Sequence, residues 1–80
     1  MLLLLCMTRI ELSHKLEELN IDKELYSLEG NLLPDRMVLV QADFRWFVLY
    51  FDKEKAVRNL KSFGSENEAC SYFYNYYKLR

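Results

Sequence analysis

Apolar and polar positions alternate in blocks along this chain, and the block that organises the rest is Arg-Trp-Phe-Val-Leu-Tyr-Phe at residues 45–51. Six consecutive residues, Trp46 to Phe51, are apolar or aromatic strand formers, with no Gly or Pro among them. The run is shorter than a typical helix and lacks helical spacing, so it predicts a central strand with both faces at least partly covered. Trp46, Val48 and Tyr50 then point one way, and Phe47, Leu49 and Phe51 the other.

The flanking segments read as elements that pair with this strand or pack on it. Thr8 and Glu11 form a capping box that starts a first helix. Ile10, Leu12, Leu16 and Leu19 form its apolar stripe, and Asn20 is suited to a left-handed cap with Ile21 folding back on Leu16. Asp22 caps a single helical turn at residues 22–25, and Tyr26-Ser27-Leu28 reads as a short edge strand. Gly30-Asn31 and Pro34-Asp35 supply turn chemistry. Residues 37–41 make a β-branched strand joined to the central one through the short loop at 42–45, a spacing that fits an antiparallel hairpin. Residues 56–61 make a third strand, which Phe63 closes and Gly64 breaks. Ser65 and Glu68 form a second capping box, opening a last helix whose Ala69, Phe73, Tyr76 and Tyr77 share one side with Cys70 adjoining.

The predicted architecture is an α+β domain: N-terminal helix, short edge strand, three-stranded antiparallel β-meander, C-terminal helix. It spans residues 8–80 as one domain, preceded by an apolar extension at residues 1–7. That extension is too short to span a bilayer, which takes about 20 apolar residues, and it lacks the flanks of a secretory signal. It reads as an extended N-terminus with Met7 an alternative start, or as a short apolar strand added to a sheet edge or a partner. No membrane association is expected.

Two helices on one sheet face leave one triplet of the central strand uncovered, and Phe47, Leu49 and Phe51 are the candidates for a protein contact, in a homodimer or with another partner. Within one chain the N-terminal leucines or Leu32 and Leu33 could instead cover them. Tyr72, Tyr74, Tyr76 and Tyr77 exceed what a core needs, so some of their hydroxyls must reach the surface. Tyr72 and Tyr76 join the candidate contact set.

Composition narrows the function. A formal charge of −1 argues against general attraction to nucleic acid. Residues 1–36 hold seven acidic and four basic side chains and residues 37–80 five and seven, which leaves the first half mildly acidic. Arg45, Lys53, Lys55, Arg58 and Lys61 lie among Trp46, Phe47 and Tyr50, a mixture that single-strand binders use, but Asp43, Asp52 and Glu54 interleave with them. Nucleic acid is therefore the alternative partner and not the expected one. One histidine, His14, and two distant cysteines, Cys6 and Cys70, make no zinc set. The serines stand in no nucleophile context, so neither catalysis, metal nor cofactor is expected. Both cysteines read as reduced, which suits the cytoplasm.

Three stretches carry a resemblance: EELNIDKELYSLEG at 17–30, RWFVLYFDKEK at 45–55 and LKSFGSENEACSYFYNYY at 60–77. Their order is similar to that of small bacterial immunity-protein-like domains found beside polymorphic and contact-dependent toxins. Those domains have a Leu-Tyr-Ser-Leu-x-Gly segment, a Trp-x-Val-Tyr-Tyr strand, and Leu-x-x-Phe before an acidic capping box. Two departures stand out: residues 52–55 replace an Arg-Gly turn, and the alternate face of the strand is apolar where polar residues are common. The resemblance implies an α+β fold with Tyr26, Trp46, Val48, Tyr50, Leu60, Phe63, Ala69 and Phe73 in its core. It also implies a non-catalytic module that binds and neutralises a cognate toxin.

Overall fold

A computed structural model describes residues 7–54 and 56–79. Helix α1 spans Arg9–Glu18, followed by a 3-10 turn at Lys23–Leu25. Four strands follow, β1 at Tyr26–Ser27, β2 at Arg36–Ala42, β3 at Arg45–Phe51 and β4 at Val57–Phe63, and helix α2 at Glu66–Lys78 completes the order. The strands form one sheet in the order β1-β2-β3-β4.

The cap of α1 acts as the sequence predicts, whereas at α2 only the Ser65 half of the expected capping box is formed among the described residues. The Thr8 hydroxyl accepts a hydrogen bond from the Glu11 amide, and the Glu11 carboxylate accepts one from the Thr8 amide. At the other end Asn20 has φ 61°, its amide donates to the Glu17 carbonyl, and the Ile21 amide donates to that of Leu16 at 3.1 Å. This is a Schellman closure, and it folds Ile21 onto the core. Ile10 departs from the predicted stripe and is exposed. Two residues turn about 200° around a helix, so Ile10 cannot share a face with the fully buried Leu12.

In α2 the Ser65 hydroxyl accepts from the Glu68 amide, while its neighbours reach across to α1. The Glu66 carboxylate accepts from the Arg9 amide and the Asn67 side chain from the Met7 amide, both at 2.8 Å. The positive ends of the two helices are thereby tied together by side-chain acceptors. Ala69, Cys70, Phe73 and Tyr77 form the buried stripe of α2. Tyr76, expected beside them, is only partly buried.

The core lies between the helices and one face of the sheet. It joins Leu12 and Leu16 of α1, Tyr26 and Leu28, Met37 and Leu39 of β2, Trp46 and Val48 of β3, and the α2 stripe. Burying each of the larger side chains is worth about 1.5–3 kcal/mol.

β2, β3 and β4 form the expected antiparallel meander, but the sheet as a whole is mixed, because β1 runs parallel to β2. A parallel return usually needs a dozen or more residues. Here β1 is two residues long, so the chain has only about 7 Å to travel back, and residues 28–35 suffice. Gly30, at φ 82°, and Asp35, at φ 60°, make the reversal.

The β2–β3 hairpin turns on Asp43 and Phe44, both left-handed at φ 53° and 64°, the geometry of a two-residue I′ turn. At the β3–β4 turn the Asp52 side chain organises the backbone. Its Oδ1 accepts from the Glu54 and Ala56 amides, and its Oδ2 from Arg58 Nε at 2.7 Å. The Arg58 hydrogen bond also holds the Asp52 carboxyl below its ordinary pKa.

Candidate protein-docking surface

The ladder register assigns each strand residue to a face. Met37 pairs with Tyr50, Leu39 with Val48 and Gln41 with Trp46, on the side the helices cover. Arg36 pairs with Phe51, Val38 with Leu49, Val40 with Phe47 and Ala42 with Arg45, on the opposite side. β4 extends that opposite side with Val57 beside Phe51 and Ser62 beside Phe47. A register irregularity between Val48 and Tyr50 marks a bulge in β4, and Leu60, next to the helix-side Lys61, stands on the open side.

The open face is graded from centre to rim. Val38 is fully buried and Leu49 is 8% exposed, although neither belongs to the cluster under the helices. Val40, Phe47 and Phe51 are half-buried, while Val57 and Leu60 keep 50% and 57% of their surface. Arg36 and Arg45 flank the patch, and Arg45 Nη2 donates to the Ser62 hydroxyl at 3.2 Å. Contiguous apolar surface rimmed by polar groups is the usual form of a protein-binding site.

The five contact residues expected from the sequence do not form one site. Phe47, Leu49 and Phe51 share the open face; Tyr72 and Tyr76 are on α2, across the sheet. Leu49 is too buried to offer a partner much area, so it supports the patch that Phe47 and Phe51 present. The sequence reading missed Val57, whose signal was its register with a strand apolar on both sides, and the resemblance placed Leu60 in the core, where the structure instead leaves it 57% exposed at the β4 bulge. It also missed Phe44, which is 96% exposed at the hairpin tip.

On the helix side, Tyr72 packs against Phe63 of β4 with ring centres 5.4 Å apart. Tyr72, Asn75, Tyr76 and Leu79 line an open groove of about 400 Å³. Their spacing of three, four and seven residues places them on one helix face. A second cavity of about 260 Å³ lies among Ile21, Leu25, Asp35, Tyr50, Tyr76 and Tyr77. Tyr77 is held there by its hydroxyl, which donates to the Leu25 carbonyl. The Lys15 and Lys78 ammonium groups lie over the Tyr74 ring at 5.6 and 5.7 Å, so Tyr74 takes part in the seam between α1 and α2.

The basic and aromatic residues singled out in the sequence are divided in the same way. Trp46 and Tyr50 belong to the helix side, whereas Arg45 and Phe47 are on the open face. His14 is exposed on α1. Cys70 is fully buried, and burial pushes its thiol up to about 12, which removes the thiolate that nucleophilic or redox chemistry would need. Cys6 and the leucines before it lie outside the described residues. Among the described residues no three His, Cys, Asp or Glu side chains are grouped to hold a metal ion, and no helix is long and apolar enough to cross a membrane.

Comparison with protein-family models, with curated proteins and with solved structures finds no match to this chain.

Proposed function

We propose that the chain is a non-catalytic protein-binding module, most concretely an immunity protein that binds a cognate bacterial toxin in the cytoplasm and occludes its active site. The observation that carries this reading is the open sheet face. Phe47 and Phe51 present aromatic surface there, with Val57 and Leu60 beside them and Arg36 and Arg45 at the rim. The resemblance in motif order at residues 17–30, 45–55 and 60–77 supplies the identity of the partner. The acidic first half adds a kinetic argument. Glu17, Glu18 and Glu24 are exposed on and after α1, and a basic toxin would be steered toward them, which speeds association more than it strengthens it. Co-expression with a toxin-like neighbouring open reading frame is the test. Rescue of growth by this chain supports the reading, and growth arrest despite well-expressed, folded protein contradicts it.

A second reading has its own observation. Arg36 and Arg45 share the open face with Phe47 and Phe51, the combination of cations and stacking rings that single-stranded nucleic acid uses. Titration with single-stranded RNA and DNA at low and moderate salt separates the two readings. This one requires binding that weakens steeply with salt, as phosphate contacts release counterions.

A further inference from the structure

We infer that the outer edge of β4 is a docking strand for an extended segment of the protein partner in which acidic residues alternate with apolar ones. The inference rests on the protein-binding reading above and specifies how and with what chemistry the partner engages.

A sheet has two edges, and here they differ. At one end β1 is two residues long and leads directly out of the 3-10 turn at Lys23–Leu25, so it offers little backbone for pairing. At the other end β4 runs for seven residues, Val57–Phe63, with β3 on one side and no strand among the described residues on the other. Among the described residues no loop or cap hydrogen bond engages the backbone of Arg58 to Phe63. Such a row of donors and acceptors is a template for strand addition.

The side chains of β4 say which strand fits. Val57–Phe63 contains Arg58 and Lys61 and no acidic residue. Lys61 pairs with Val48 and Arg58 with Tyr50, so both cations stand on the helix side of the edge. Asp52 already pairs with Arg58, whereas Lys61 has no acidic group within ion-pair distance among the described residues. Val57, Leu60 and Ser62 stand on the open side. Side chains along a strand alternate between faces. An added strand therefore meets cations with one set of side chains and apolar surface with the other. Its apolar set continues the patch of Phe47, Phe51, Val57 and Leu60, and its acidic set lies against Lys61 on the side of the Tyr72 and Tyr76 groove.

The same charges disfavour a second copy of this chain. A two-fold antiparallel pairing of β4 with itself that sets residue 58 opposite residue 61 brings the cations of the two copies together, and like charges directly opposite are destabilising. Positive residues are also a way that edge strands resist pairing with their own kind. They repel a like-charged strand and leave an acidic one favoured.

The experiment uses the full chain, isotope-labelled, and two capped heptapeptides: one alternating Glu with Val and Leu, the other with Lys in place of every Glu. At low salt the acidic peptide should shift and protect from exchange the amides of residues 57–63, leaving β1 unchanged. The basic peptide should bind at least tenfold more weakly. Lys61→Glu, exposed and therefore tolerated, should reverse the preference. Equal binding of both peptides, no response in residues 57–63, or concentration-dependent protection of that edge without peptide would each overturn the inference. These failures are separable from failure of the protein-binding reading. If β4 stays silent while Phe47→Lys still abolishes toxin neutralisation, only the edge inference falls.

Discussion

Val38 pairs with Leu49 across the β2–β3 ladder, and both are buried on the side of the sheet opposite the two helices. Leu32 and Leu33, the described residues expected to cover this face, remain 51% and 42% exposed. The pair is the buried centre of this face, and on the proposed reading the less buried side chains around it are the ones offered to a partner. This distinction gives the first prediction. Leu49→Lys should destabilise the isolated chain by about 2–4 kcal/mol, because a charge would be forced into a site with no partner. Phe47→Lys, at a half-buried position, should cost about 1 kcal/mol or less. Urea unfolding of the two variants checks this, and equal losses would mean that the face has no rim.

Tyr26 is 7% exposed and its hydroxyl meets no hydrogen-bond partner among protein atoms, while its ring sits edge-on to Tyr77 at 6.3 Å. Removing a buried hydroxyl that nothing satisfies is neutral or stabilising. Tyr26→Phe should leave stability unchanged or raise it by up to about 1 kcal/mol. Chemical denaturation would detect a loss, which would mean that the hydroxyl is bonded in solution.

Burial raises the pKa of Cys70 to about 12, and burial, its largest cause, also raises that of Tyr26. Each group releases its proton at lower pH in the unfolded chain than in the folded one. The stability they contribute is complete below the unfolded values, about 8.5 for the thiol and 10 for the phenol, and is lost as pH rises toward the folded values. Melting temperature should fall between pH 9 and 12, and less steeply in Cys70→Ala. In Cys6→Ser, which leaves Cys70 as the sole thiol, reaction with a disulfide reagent at pH 8 should be limited by unfolding.

Phe44 holds a left-handed backbone at φ 64° with 96% of its surface exposed, in a turn that favours glycine at that position. Phe44→Gly should raise stability by about 0.5–1 kcal/mol, because relief of strain exceeds the added freedom of the unfolded chain. The midpoint of urea unfolding measures it. A lower midpoint would show that the ring contributes packing.

The parts of the fold legible in the sequence were those written in local chemistry. Thr8 with Glu11, Asn20 with Ile21, and Asp22 each announced an end or a cap, and each forms the hydrogen bonds its type requires. The two-sided nature of β3 was legible from Trp46 to Phe51 alone. What lay outside local chemistry was missed. The direction of β1 depends on how residues 28–35 cross back, and no residue type encodes that path. The separation of Tyr72 and Tyr76 from Phe47 and Phe51 depends on which face α2 covers. Periodicity gives a side chain its face on its own element, and only packing says what lies opposite.

If the open sheet face binds the partner, Phe47→Lys/Phe51→Lys should remove binding and leave the fold intact. The measurement pairs a thermal melt of the variant with its binding to the cognate toxin by titration calorimetry. The expected result is cooperative melting within a few degrees of wild type together with at least a hundredfold loss of affinity, about 2.7 kcal/mol. A variant that melts normally and binds as tightly as wild type would contradict it.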